Sequence, residues 1–453
     1  MSTARPQASF AVIVGLGKTG LSCARYLHAH GWKIAVTDTR AQPPELTKLQ
    51  ALDPTIPVRV GGLDTKLLDD ALCVVASPGL SLSEPFFIEA RARGLDVVGD
   101  IELFARAVDA PVAGITGTNG KSTVTTLVGR MAARAGWKVR VGGNLGEPAL
   151  DLLVAAQGDA QPTDLYVLEL SSYQLESTVS LDLKAAAVLN VTPDHMDRYT
   201  TIADYAAAKA RIFARCDTAV INLDDPLVVA MPSPGQRALG FSLRASIGAD
   251  YAVMTGTDSQ WWLSRRGQPL LALSAMKIKG LHNAANALAA LALGEALGLP
   301  LEAMLEELRT FPGLPHRSQW VADVNGVTYI NDSKGTNVGA TLAAVEGMSG
   351  PLVMIAGGDG KNQDFAPLAN AFRGKVRHTV LIGRDADAIA KVLKGVCTFE
   401  KTATLEEAVR AAARAAKPGD TVLLSPACAS LDMFRDYTHR GTVFAQAVKE
   451  LAA

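Results

Sequence analysis

The sequence predicts an α/β protein built on mainly parallel sheets, and three observations predict it. Apolar, β-rich runs alternate with Ala/Leu-rich stretches of helical character along most of the chain, the pattern of repeated βα units. Six of the apolar runs end in loops loaded with glycine, hydroxyl or charged residues, and the carboxyl ends of strands are where open parallel sheets bind ligands. The chain has 453 residues, 48% hydrophobic and 20% charged. That exceeds what one core ordinarily holds, about 250–300 residues, so two or three domains are expected.

The first run, Ala11-Val-Ile-Val, leads into Gly15-Leu16-Gly17-Lys18-Thr19-Gly20, and the next, 33–37, into Asp38 and Thr39. Glycines in GxGxxG spacing allow a tight turn and close approach of backbone N–H groups to a diphosphate, and an acid at the offset of Asp38 suits a ribose hydroxyl. Taken alone this reads as a nicotinamide-dinucleotide dehydrogenase. Any nucleotide diphosphate can use the same turn, however, and tight packing alone also employs such glycines.

The second run, from Pro111, ends in Gly117-Thr118-Asn119-Gly120-Lys121-Ser122-Thr123. Its backbone donors and helix start suit phosphates, Lys121 suits the β/γ oxygens and Ser122 suits Mg²⁺, so ATP is expected here. The spacing is not that of a strict phosphate-binding loop, because Ile115 stands five residues before Gly120 and Gly114 lies one place further back. Glu169 closes the third run, 165–168, where an acid has no packing role and is either an Mg²⁺ ligand or a cap. His195 follows the fourth run, 185–190, in Thr192-Pro-Asp-His-Met-Asp-Arg-Tyr199, placed to meet a metal or a substrate. Lys209, in Tyr205-Ala-Ala-Ala-Lys209, reads by pattern as one solvated lysine on an amphipathic helix.

Residues 283–297 have helical character, and Phe311-Pro-Gly-Leu-Pro315 reads as a linker. Beyond it, 327–330 leads into Asn331-Asp-Ser-Lys-Gly-Thr-Asn337, whose polar density suggests substrate contact. The fifth loaded run, 352–356, precedes Gly357-Gly-Asp-Gly-Lys361, a loop with a cation for a carboxylate or phosphate. The sixth, 422–424, precedes Ser425-Pro-Ala-Cys-Ala-Ser430.

Composition excludes other classes. Lys and Arg number 44 against 45 acids, which leaves no global basic field for nucleic acid or an anionic membrane. The five cysteines are scattered, without a CxxC pair, as in a reducing compartment. Neither a signal peptide nor an apolar stretch of about 18 residues is visible, so a cytoplasmic protein without membrane insertion is expected.

Gly117-Thr-Asn-Gly-Lys-Ser-Thr123, Glu169-Leu-Ser-Ser-Tyr-Gln174, the His195 loop with Asn190 before it, Leu281-His-Asn-Ala-Ala-Asn286 and Pro315-His-Arg317 together resemble the Mur ligase family of peptidoglycan synthesis, in order and over nearly the whole chain. The 331–337 and 425–432 stretches are similar to those of the branch that adds D-glutamate to UDP-N-acetylmuramoyl-L-alanine. The resemblance implies three domains: a Rossmann-like UDP-binding unit at 1–97, a central P-loop-type ATPase unit with a parallel sheet at 98–312, and a Rossmann-like amino-acid-binding unit at 313–453. It implies an ATP-dependent ligase working through an acyl phosphate and a tetrahedral intermediate, expected as a monomer.

By the same resemblance the UDP-substrate meets Gly15, Leu16, Gly17, Thr19, Asp38, Thr39, Ser77, Gly79, Asn144 and Gln174. ATP meets the 117–123 loop with Asn283, Asn286, Arg317 and Asp332. Two Mg²⁺ ions are implied, one on Ser122 and Glu169, the other on His195 and a CO₂-derived carbamate of Lys209. Lys121, His195 and Lys209 are the implied catalytic residues. D-Glutamate meets Thr336, Lys361, Ser430, Leu431 and Tyr437, the last standing where the family pattern has phenylalanine. A folylpolyglutamate synthetase, a Mur ligase for another amino acid, the dehydrogenase and a non-catalytic nucleotide sensor remain as alternatives.

Overall fold

The computed structural model describes residues 9–244, 248–256, 259–278, 280–348 and 350–452. Three sheets follow one another along the chain. The first has five parallel strands in the order Val58–Val60, Lys33–Asp38, Phe10–Val14, Cys73–Ala76 and Asp96–Val98. Its order reverses beside Phe10–Val14, so the loop starting at Gly15 and the loop starting at Ser77 flank one crevice.

The central sheet has nine strands. Val112–Thr116 lies between Leu165–Glu169 and Ala185–Val188, parallel to both, which again puts a switch point at the lysine loop. This strand is buried along its whole length: Val112 faces one apolar cluster, Ala113 and Ile115 the other. Double-sided burial is why such strands read as continuous apolar runs, not as alternation. The far edge is antiparallel, formed by Tyr251–Thr255, Trp261–Arg265 and Gln268–Ala272. The third sheet has six strands, parallel except for the hairpin Gln319–Val324/Val327–Asn331. Thr421–Leu424 sits at its centre, between Val327–Asn331 and Leu352–Gly357.

Two interfaces join these units, and they differ in chemistry. One apolar cluster runs continuously from Ile13 and Leu27 through Ile101 and Phe104 to Leu150 and Leu168, so the first and central units share a core. Among the described residues no apolar cluster runs from the central unit into the third, whose clusters contain only its own side chains. The connector helix Asp100–Ala105 carries two buried acids at the first interface. Glu102 accepts from the backbone of Val179 at 2.7 Å and Ser180 at 2.9 Å, and from Arg106 at 3.0 Å. Asp100, 2% exposed, takes one hydrogen bond from Gln174 Nε2 at 2.9 Å, while its Oδ1 has no partner. All five cysteines are free thiols, and among the described residues no helix is long and apolar enough to cross a membrane.

Asp100 makes the interface pH-sensitive. Burial pushes its carboxyl up to about 6, partly opposed by Gln174, so the folded state prefers the protonated form. That preference stabilises fully below the ordinary carboxylate range and is lost as pH rises through about 6; above that the buried charge is a cost. Asp100→Asn is therefore expected to gain stability relative to wild type between pH 4 and pH 7, on the order of 2–3 kcal/mol. Urea unfolding of both proteins across that range measures it, and a pH-independent difference refutes it.

Candidate active site

Three cavities open in line along the carboxyl ends of the sheets. One of about 310 Å³ lies between the first and central units, with Thr19, Ser77 and Gly79 on one wall and Asn144 and Gln174 on the other. A middle one of about 410 Å³ brings together Lys121, Ser122, Glu169, His195, Lys209 and, from the third unit, Thr336 and Lys361. The last, about 550 Å³, is walled by Gly120, Thr123, Asn283, Asn286, Arg317 and Asp332. Gly79 and Asn144 border the first two, Asn119, Gly120 and Arg317 the last two, so the clefts form one continuous surface.

In the first cleft the three glycines do different work. Gly15 adopts φ +95°, and a Cβ on Gly20 would lie 2.0 Å from the Gly15 carbonyl oxygen, so both serve the turn itself. Gly17 has open space where a Cβ would stand, leaving its backbone approachable. Asp38 buttresses this turn: its buried carboxylate accepts the Leu16 N–H at 2.7 Å and pairs with Arg40 at 2.6 Å. Burial pushes that carboxyl up, but Arg40 and the two backbone N–H groups hold it below its ordinary value. Thr39 beside it is exposed.

The middle cavity is built from the lysine loop. Gly120, φ +85°, is the N-cap of the helix Lys121–Arg134 and aims the loop's backbone at the cavity. Lys121 Nζ donates to the carbonyls of Gly117 at 2.8 Å and Thr118 at 2.9 Å. Lys209 Nζ, on a residue 1% exposed, donates to the same Gly117 carbonyl at 3.0 Å. Burial first, then the neighbouring Lys121 charge, lowers the Lys209 amine far below its ordinary value. Its uncharged form, the one able to act as a nucleophile, is thereby favoured. Ser122 Oγ donates to Glu169 Oε2 at 2.5 Å and accepts from Arg317 at 2.6 Å, and Asn144 donates to Glu169 Oε1 at 2.7 Å. Burial raises the Glu169 carboxyl, but Lys121 and these hydrogen bonds outweigh it and keep Glu169 ionised. His195, at φ +59°, is held by Tyr173 through Nδ1 at 2.8 Å, and burial lowers its pKa, leaving it neutral.

Among the described residues no group of three or more His, Cys, Asp or Glu side chains forms a metal cage. The oxygen-rich, half-built donor set of Ser122 and Glu169 instead fits Mg²⁺, which keeps much of its shell in phosphate and water. In the third cleft Asn286 donates to Asn283 at 3.3 Å. Asp332 accepts from the Ser318 backbone at 3.0 Å and from Ser425 Oγ at 2.8 Å. Burial lifts its carboxyl to about 6.

Thr336 and Lys361 reach the middle cavity, whereas Ser430, Leu431 and Tyr437 are not among its lining side chains. Ser430 is 4% exposed and Leu431 73%. Tyr437 lies under Lys334, whose Nζ is 4.2 Å from the ring centroid. Two charged residues of the middle cavity had no individual role in the sequence reading. Lys334 lines the middle and last cavities, and burial lowers its amine to about 8. Asp194 receives Asn337 Nδ2 at 3.2 Å and faces Lys361 at 3.7 Å, joining the central and third units. The signal for both was their adjacency to residues already singled out, Asp332 and His195.

Family models match three consecutive stretches of the chain: the MurD-like N-terminal domain of Mur ligases at 9–99, the Mur ligase middle domain at 115–294, and the glutamate ligase domain of Mur ligases at 316–428. A Nitrosococcus oceani protein named UDP-N-acetylmuramoylalanine--D-glutamate ligase is 51% identical over 450 residues, spanning 99% of this chain and 98% of its own. A Pseudomonas aeruginosa protein of the same name is 50% identical over 447 residues, 98% of each chain. The fold is shared with the solved UDP-N-acetylmuramate-alanine ligase of Thermotoga maritima, at a TM-score of 0.60, 18% identity, and 97% and 99% coverage of this chain and that one. It is also shared with MurF of Acinetobacter baumannii, at 0.62, 17%, and 97% and 90%.

At Gly120 a Cβ would lie 2.4 Å from Asn286 Oδ1, at a φ that side chains rarely adopt. Gly120→Ala is expected to lower stability by about 1–3 kcal/mol and to displace the loop. Chemical denaturation checks the first, and a variant as stable as wild type refutes it.

Proposed function

The chain belongs to the Mur ligase family, and from that premise we propose that it is the ATP-dependent ligase joining D-glutamate to UDP-N-acetylmuramoyl-L-alanine in the cytoplasm, for peptidoglycan precursor synthesis. The name its half-identical, full-length relatives bear supports this. The single structural observation that carries it is the continuity of the clefts: a diphosphate-type turn, a lysine cradle and a set of polar loops on the third sheet meet around one cavity. A dehydrogenase has no use for that cradle.

In this reading the UDP diphosphate lies on the Gly15–Gly20 turn, with Thr19, Ser77 and Gly79 around it, and Asp38 acts by holding the turn. Gln174 and Asn144 bring the muramoyl-alanine end toward the middle cavity. ATP lies in the third cleft with Asn283, Asn286, Arg317 and Asp332 about its nucleoside, and its phosphates run over Gly117–Thr123. Lys121, which now donates to its own loop, turns to the transferring phosphoryl group, giving up two carbonyl partners for charged oxygens. An oxygen of the alanine carboxylate attacks the γ-phosphorus, the bond to the β–γ bridging oxygen breaks, ADP leaves, and an acyl phosphate results. The amine of D-glutamate, held by Thr336, Lys361, Ser430, Leu431 and Tyr437, then displaces phosphate through a tetrahedral adduct. Positioning these partners in line is most of the catalysis.

Mg²⁺, two ions in the full reading, would be held by Ser122 and Glu169 and by His195 with a Lys209 carbamate, and supplies charge neutralisation for the phosphates. The enclosed Lys209 amine, whose charged form burial disfavours, fits addition of CO₂, which turns a group useless to a cation into an oxygen donor. The division into units near 97 and 312 assigns one partner to each, with the protein working as a monomer.

Phosphate release from ATP is expected to require both UDP-N-acetylmuramoyl-L-alanine and D-glutamate, not L-glutamate; release with a different amino acid reassigns the acceptor. Lys121→Ala is expected to lose at least about 10³-fold in turnover while unfolding within a few degrees of wild type, and activity within severalfold of wild type removes its role. Isotope-labelled bicarbonate is expected to give a carbamate carbon resonance in wild type that Lys209→Arg lacks. Its absence in wild type refutes the modification.

A further inference from the structure

Arg440, on the first turn of the C-terminal helix Tyr437–Ala452, is wholly buried, 0% exposed. Every hydrogen bond of its guanidinium goes to a neutral oxygen. Nε donates to Ser333 Oγ at 3.0 Å and Nη2 to the Ser333 carbonyl at 2.7 Å, while Nη1 donates to the carbonyls of Cys428 at 3.1 Å and Ala429 at 3.4 Å. Among the described residues no carboxylate lies within ion-pair reach, 4.0 Å. Burial lowers its pKa to about 10, which leaves it charged at neutral pH. Asp432 and Asp332 offset the charge only from beyond ion-pair reach; a buried cation without a directly paired carboxylate is costly, and a peg needed only for packing is better made from an apolar side chain.

What the guanidinium joins gives the charge a purpose. Ser333 follows the strand Val327–Asn331, and Cys428 and Ala429 follow its parallel neighbour Thr421–Leu424. The second of these loops is strained, with Ala427 at φ +59°. Ala429 in turn pairs through both backbone groups with Asp359, at 2.8 and 3.0 Å, which fastens the loop leading to Lys361. The helix bearing Arg440 has no slack: Gly441 accepts from Asn331 at 2.8 Å, and a Cβ on Gly441 would lie 2.2 Å from His316 Nδ1.

We propose that Arg440 is the positioning residue of the acceptor site: it locks the three loops bearing Thr336, Lys361 and Ser430 into the one arrangement that receives a dicarboxylic amino acid. The inference deepens, and rests on, the assignment of these loops to D-glutamate. Arg440 makes none of these hydrogen bonds to residues 117–123, 283, 286 or 317 and meets the nucleotide side only through Ser333, next to Asp332, so its loss falls chiefly on the acceptor.

The test is a set of steady-state titrations of the full chain and its variants, each substrate varied in turn. Arg440→Met is expected to raise the KM for D-glutamate by about tenfold or more, with the KM values for ATP and the UDP-substrate within about twofold and kcat less affected. Arg440→Lys, keeping the charge but not the fork, is expected to fall between. Equal changes in all three KM values, or an unchanged KM for D-glutamate, overturn the proposal. Should Arg440→Met not fold, Ser333→Ala, which removes the Nε partner together with the hydroxyl's own bond to the Tyr437 carbonyl, is expected to show the same selective rise, and an unchanged D-glutamate KM there overturns it equally. If wild type itself accepts a different amino acid, it is the acceptor assignment that fails, and the selective KM effect is read on that acceptor.

Discussion

Lys121 and Lys209 both donate to the carbonyl of Gly117, and around that shared acceptor the middle cavity is organised. Two ammonium groups cannot stand side by side in a buried site, since each charge raises the other's free energy in a medium that screens poorly. The protein eases this by disfavouring the charged form of Lys209 and balancing Lys121 against the ionised Glu169. Ser122 and Arg317 complete the arrangement, the one donating to Glu169 and the other to Ser122. Any polyanion entering the cavity finds Lys121, Lys361, an arginine already turned inward and a run of backbone donors, so phosphate binding needs little reorganisation of charge. The strained His195 backbone and the left-handed Gly120 are costs borne at the same place.

The sheets outside the cavity serve to bring three loop sets to it. Each sheet places its switch point toward the common cleft, so residues as distant in sequence as Ser122 and Arg317 meet at 2.6 Å. The buried acids of the connector helix, Asp100 and Glu102, tie the first unit to Gln174 and to residues 179 and 180, beneath the first cleft.

Much of this was legible in the sequence, for a physical reason. Strands buried on both faces must be continuously apolar, so Val112–Thr116 and Leu352–Gly357 announce themselves, and loops at their carboxyl ends that carry Lys121 or Lys361 stand out by contrast. The hairpins of 251–272 and 319–331 were not anticipated; their half-exposed strands, such as Gln268–Ala272 with a proline inside, lack that signature. Lys209 shows the limit of periodicity. By pattern it is a solvated lysine, and only its resemblance to a family residue gave it a role, whereas the structure buries it under Tyr205 and against the Gly117 carbonyl. Asp38 read as a ligand for ribose, and in the structure its carboxylate is taken up by Leu16 and Arg40. Lys334 and Asp194 went unassigned because their importance lies in what faces them, Tyr437 far along the chain in the same unit and Lys361 across the cleft, and contacts so distant in sequence leave no trace in local spacing.

The contrast between the two interfaces has an evolutionary consequence. The first and central units are welded by a shared apolar core, so substitutions there must be compensated on both sides. The third unit keeps its core to itself and meets the lysine loop through polar contacts such as Asn119 with Asn337 and Asp194 with Lys361. Loops at the carboxyl end of this third sheet can therefore be reworked while the lysine loop stays untouched. Solved structures with 16–18% identity share the fold.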